Sequence, residues 1–157
     1  MHEVEALQLE TQIQEHKELL IKAQLYCKKT GNRFTPIRQK IYRLLLEAEG
    51  SIGAYDLLDK LKLIDSNAKP PTVYRALDFF LNVGLAHKVA STNTYKACKH
   101  FDCAHMAQFL ICDKCGDVKE IHSKGISDSL EAQAALHAFK INTQTIEAHG
   151  TCHRCSN

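Results

Sequence analysis

Two short stretches, "CDKC" (Cys112, Cys115) and "CHRC" (Cys152, Cys155), limit the folds open to this chain more than anything else in it. Two residues between cysteines is the spacing at which one tight turn aims both sulfurs at a single ion. Gly116, directly after the first pair, supplies the backbone freedom such a turn uses. Four thiolates make a tetrahedral set that selects zinc over hard cations. A closed set leaves no position for water or substrate, so this zinc is expected to be structural and the chain is not read as an enzyme. Structural zinc typically contributes roughly 10–16 kcal/mol, so the unit it ties together should come apart without it. The competing reading, two dithiols of redox or incidental origin, needs both knuckles to share one small unit by coincidence.

The 157 residues, 45% of them hydrophobic, can build a core, but a unit of half that length would be marginal without a metal or a partner subunit. Seven cysteines, an odd number mixed with histidines, suit reduced thiols and metal rather than disulfides. The opening "MHEVEALQLETQIQEHKELL" has neither a basic nor an apolar signal segment, and no run of apolar residues is long enough to span a bilayer. A cytoplasmic chain with no membrane partner is expected. Charge is uneven: residues 21–98 carry thirteen Lys/Arg against six Asp/Glu, while residues 1–20 carry five acids and one base. A compact basic block flanked by acidic or balanced chain is the footprint of a nucleic-acid binder, or simply a solvated face.

The order of elements narrows this. Residues 5–30 have helical spacing and stop at "TGN"; Thr35-Pro36 opens a second helix; "AYDLLDKLKLI" is a third. Pro70-Pro71 opens a fourth that ends at Gly84, followed by two short extended runs, "LAHKVAS" and "TYKAC", with Ile52 in a very short strand. Helices followed by a small hairpin make a winged helix-turn-helix over residues 1–98. Residues 99–106 read as a hinge. Residues 107–157 read as a small α/β unit: "FLIC" and "VKEIH" as strands around the first knuckle, "SKGISDSLEAQAALHA" as a helix capped by Ser127 or slightly earlier, and "FKINTQTIEAHG" as a strand. The fold class is α+β.

The blocks "RFTPIRQKIYRLLL", "AYDLLDKL", "AKPPTVYRALDFFLNVGLAHKV", "FLICDKCGDVKE" and "IEAHGTCHRC" resemble the zinc uptake regulator branch of the ferric uptake regulator superfamily, from about Arg33 to Cys155. The resemblance implies a homodimeric bacterial repressor. Its N-terminal winged helix would bind a palindromic operator, its C-terminal unit would dimerise, and it would silence zinc-uptake promoters when zinc is plentiful. It also implies a regulatory zinc site at His87, Cys98, His105 and Glu120, making two Zn2+ ions per subunit with the structural one. A thiolate in that set favours zinc over the harder Fe(II) or Mn(II). The histidine-rich run that iron-sensing members often carry before the first knuckle is replaced here by "HFDCAHMAQFLIC".

On that reading the helix opened by Pro70 is the recognition helix. Val73, Leu77 and Phe80 form its core stripe, and Thr72, Tyr74, Arg75 and Asp78 lie toward the other side. Arg75 suits a bidentate pair with guanine; Thr72 and Tyr74 suit phosphate or thymine-methyl contacts; Tyr55 and Arg38 are candidate anchors that position the duplex. His100, Asp102, Cys103, His122, His137, His149 and His153 could support a ligand or belong to an extra site, with none of them assigned, and Cys27 and Cys103 read as packing or unassigned thiols rather than ligands. The rivals are a sensor of another metal or of peroxide, a zinc-storage module without DNA binding, and a zinc hydrolase or deaminase. The last lacks its H-x-E and P-C-x-x-C signature.

Overall fold

The computed structural model describes residues 2–48, 50–102 and 105–156, leaving out the side chains of residues 2–5; Cys103 lies outside the described residues. The chain forms two compact units, Met1–Asp102 and Cys103–Asn157.

The first unit runs α1 (His2–Lys29), α2 (Pro36–Glu47), α3 (Ala54–Lys62), α4 (Pro70–Val83), β1 (Ala86–Val89) and β2 (Thr94–Ala97). Proline opens α2 and α4 because the first helical turn has no use for its missing N–H. Thr35 occupies the cap of α2 without a side-chain cap bond. Gly84 ends α4 at φ 80°, a left-handed conformation that glycine adopts without strain, and Leu85 N–H closes back on the Phe80 carbonyl at 2.8 Å. β1 and β2 pair antiparallel as a hairpin, and Ile52 joins it by a single bridge to Tyr95. This is a winged helix-turn-helix. Ile41, Tyr42, Leu57, Leu61, Val73, Leu77, Phe80 and Leu85 are wholly buried, one stripe from each helix converging with the start of the wing. Tyr42 and Phe80 meet at 5.4 Å between ring centroids, with Phe34 edge-on to both. Among the described residues, α1 joins this core through Leu19, Ala23 and Cys27 of its C-terminal half. Burial pushes the Cys27 thiol up, against a smaller opposing pull from Arg38, as befits a packing thiol. Residues 99–102 lie along α1: Phe101 meets Tyr26 at 5.4 Å and Asp102 pairs with Lys22 at 2.9 Å.

The second unit comprises β3 (Ala107–Cys112), β4 (Val118–Ile121), α5 (Lys124–Leu136), β5 (Thr145–Gly150) and a final 3-10 turn (His153–Cys155). The strand order is β4-β3-β5, antiparallel on one side of β3 and parallel on the other. Parallel pairing requires a crossover, which α5 provides. The cap of α5 is Ser123, whose hydroxyl accepts from Ile126 N–H, four residues before the expected Ser127. Ser127 instead accepts from the amide of Gln108 at 2.9 Å. That amide also donates to the Ser123 carbonyl and accepts from Ser123 N–H, both at 3.1 Å, so a buried polar side chain ties the helix start to the central strand. β5 begins at Thr145, not near Phe139, because the chain first turns through Ala138 at φ 52°. No residue of α5 is buried. Among the described residues no helix is long and apolar enough to cross a membrane.

Candidate metal centre and nucleic-acid face

The two knuckles meet because β3 and β5 run side by side in parallel. Cys112, last of β3, is level with Gly150, last of β5, so Cys152 leaves the sheet beside it. The first knuckle is closed by Gly116 N–H to the Cys112 carbonyl and Cys112 N–H to the Asp117 carbonyl, both 2.9 Å, with Gly116 at φ 73°. The second is closed by Cys155 N–H to the Cys152 carbonyl at 3.0 Å. Lys114 ties one turn to the other through the Cys155 carbonyl at 2.9 Å.

All four sulfurs lie within 4.8 Å of one another, and Cys115 Sγ and Cys152 Sγ are 3.7 Å apart. Zn–S bonds near ~2.3 Å give a tetrahedron with edges of about 3.8 Å, and the Cys115–Cys152 edge already has that length. The electrostatics agree. Donated N–H groups, that of Cys152 first and Cys115 next, pull the Cys112 thiol from its ordinary 9.0 down to about 6. Cys152 is also lowered: burial resists ionisation there, but the Cys155 N–H and neighbouring thiols outweigh it. Sharing hydrogen bonds with Cys115 and Cys152 pushes Cys155 up to about 12. The cluster takes its first negative charge readily and its last one poorly, the imbalance a divalent cation removes.

Two further ligand pairs stand in separate units. In the first, His87 on β1 is half-buried and Cys98, just past β2, is wholly buried; their ligand atoms are within 4.8 Å. Cys98 is held by its N–H to the Leu85 carbonyl at 2.9 Å, while its carbonyl accepts from Tyr42 Oη at 3.5 Å. In the second, His105 Nε2 lies 3.1 Å from Glu120 Oε1, with the two side chains only 14% and 9% exposed. Glu120 is fixed on β4 opposite Phe109. His122 adjoins this pair, its ring centroid 4.7 Å from that of His105. Sequence reasoning left it among several unassigned candidates for an extra site; its position two residues after Glu120 puts both side chains on one side of an extended chain.

On α4, Val73, Leu77 and Phe80 are buried as the core stripe requires, while Tyr74 and Arg75 are exposed and Thr72 is half-buried. Tyr55, 68% exposed at the start of α3, meets Tyr74 edge-on with centroids 6.5 Å apart. These two rings form one aromatic ledge beside Arg75. Arg38 is placed differently: its guanidinium lies 3.8 Å above the Phe79 ring and donates to the Arg33 carbonyl.

A winged helix joined to a small sheet that carries a four-cysteine metal centre defines a metal-dependent class of DNA-binding folds. Residues 29–149 match the ferric uptake regulator family, and the chain belongs to it. It is 46% identical to the zinc uptake regulation protein of Escherichia coli K12 over 88% of this chain and 82% of that one. It is 30% identical to the peroxide operon regulator of Bacillus subtilis over 82% of this chain and 88% of that one. Among solved structures, a zinc uptake regulator complexed with zinc and DNA superposes with a TM-score of 0.86 at 46% identity, covering 90% of this chain and 95% of that one.

Proposed function

We propose that this protein is a zinc-responsive transcriptional repressor, dimeric and cytoplasmic, that binds a palindromic operator at zinc-uptake promoters when zinc is abundant. The observation that carries the reading is the 46% identity to a zinc uptake regulation protein over 88% of the chain, within which the zinc ligands stand already paired. Cys112, Cys115, Cys152 and Cys155 hold a structural zinc. His87, Cys98, His105 and Glu120 hold a second, regulatory one, giving two per subunit. The thiolate supports zinc over a harder metal or a peroxide-sensing iron.

The regulatory ligands come two from each unit, so holding one ion among them restrains the winged helix relative to the C-terminal unit. In a dimer that restraint selects the spacing at which two recognition helices fit two half-sites. Moving such an equilibrium from 1:99 to 99:1 takes about 5.5 kcal/mol of differential affinity, well within what zinc coordination supplies. Arg75 reads guanine, with Thr72, Tyr74 and Tyr55 on the backbone and base edges. Arg38, already engaged with Phe79, positions the duplex. The unburied α5, with Ile126, Leu130, Leu136 and nearby Phe139 exposed, supports a partner subunit across that face. The test is a gel shift on a palindromic zinc-uptake promoter against buffered zinc. Operator affinity should rise steeply with zinc, and His87→Ala or Cys98→Ser should abolish the response while leaving a folded dimer. A variant that responds normally would refute the regulatory site.

A further inference from the structure

His122, Glu120 and His105 make a ligand set that lies wholly within the C-terminal unit. His122 Nε2 is 4.0 Å from the same Glu120 Oε1 that His105 Nε2 meets at 3.1 Å. The two rings meet edge to face. Two imidazoles and one carboxylate, with positions left for water, are a common way to hold a divalent first-row metal. Bonds of about 2.0–2.1 Å place neighbouring ligand atoms roughly 3.0–3.4 Å apart. The His105–Glu120 pair already has that spacing, and the His122 ring has only to close by less than about 1 Å to join it. It has the room: its side chain is 35% exposed, against 14% and 9% for the other two. Exposure is therefore graded, with one histidine at the rim and a deeper histidine–carboxylate pair behind it. The regulatory thiol contrasts with this arrangement. Cys98 is 0% exposed, so a hydrated ion cannot meet it first.

We propose that His105, Glu120 and His122 form a loading site, at which the C-terminal unit captures a zinc ion from solution before His87 and Cys98 take hold of it. The proposal rests on the regulatory-site reading above. At capture the ion keeps a water molecule as its fourth ligand. On transfer, the bonds from zinc to His122 Nε2 and to that water break, and bonds to a His87 ring nitrogen and to Cys98 Sγ form. The water and the Cys98 thiol proton leave to solvent, and no electron changes hands. His122 is suited to be the ligand that departs, since it is the most exposed of the three and its ring can return to water.

The experiment uses the full chain with its four-cysteine centre loaded, titrated with zinc against a chromogenic chelator. With His87→Ala and Cys98→Ser combined, a second zinc equivalent should persist with weakened affinity. Adding His122→Ala should weaken it by more than about 100-fold, since losing an outer partner of a ligand alone costs about 10–100-fold. In the otherwise unaltered chain, His122→Ala should weaken equilibrium zinc binding by no more than the roughly 10–100-fold of a lost outer partner, and zinc capture followed by stopped flow should slow. Absence of a second equivalent in the double variant, or one indifferent to His122→Ala, would overturn the loading site. If removing His87 and Cys98 did not weaken the second equivalent at all, the regulatory-site reading would fall instead, while the His122→Ala comparison would still decide this one.

Discussion

The two units of this protein are held together by different physics. In Met1–Asp102 every helix gives a buried stripe to one apolar cluster that runs from Leu19 to Phe101. Among the described residues of Cys103–Asn157 the buried ones are Ala107, Gln108, Phe109, Ile111, Cys112 and Val118, and α5 contributes none. At about 25 cal/mol for each Å² of apolar surface removed from water, the first unit gains stability from burial that the second has little surface to match. The second has four sulfurs gathered at one end of its sheet and leaves Ile126, Leu130 and Leu136 of its helix exposed. On the reading proposed above, the unit assigned to DNA is stable on its own account, and the unit assigned to dimerisation depends on bound ions and on a neighbour.

The difference can be tested in order of expected effect. Cys112→Ser leaves three ligands and should remove most of the roughly 10–16 kcal/mol that structural zinc supplies. Heteronuclear NMR should then lose the dispersed signals of β3, β4 and β5 while those of α2–α4 remain, and sedimentation should show monomer. Survival of both units would break the comparison. Phe80→Ala should cost the first unit about 3–5 kcal/mol, since Phe80 is wholly buried against Phe34, Tyr42 and Phe79. Denaturant melting should register this with the zinc content of the second unit unchanged. The smallest effect is the most diagnostic. Thiolate absorbance of the metal-stripped chain should show no step below the ordinary 9.0, because the unit has loosened. A separate step at about 6 would mean that Cys112 still receives its N–H donors without metal. Its folded value would then lie below its unfolded one, so the contribution to stability would be present above 9.0 and lost as pH falls through about 6.

Much of this was legible in the sequence, for identifiable reasons. Prolines at 36 and 70 and the glycine at 84 mark helix ends because each carries a backbone constraint of its own. The knuckle spacing reports a turn, and the core stripe of α4 follows from helical period alone. What failed depends on partners distant in sequence. Alternation from Phe139 onward looked like a strand, but a strand exists only where β3 can pair with it, from Ala107 opposite Thr145. The cap of α5, read as Ser127 or slightly earlier, is Ser123, which the buried Gln108 holds in that place. His122 was within reach of a period-two argument from Glu120, though nothing in one dimension says that His105 folds back onto the same spot.

The parallel pairing of β3 and β5 has a consequence for biosynthesis. Cys115 and Cys152 are 37 positions apart, and a ribosome adding about 5–20 residues per second needs roughly 2–7 s to cover that distance. Throughout that interval an emerging chain displays one dithiol with no second one to complete it, open to oxidants and to soft cations other than zinc. Maturation of the protein is therefore a race that begins on the ribosome, and intracellular supply of the right ion during those seconds decides how many usable copies each message yields.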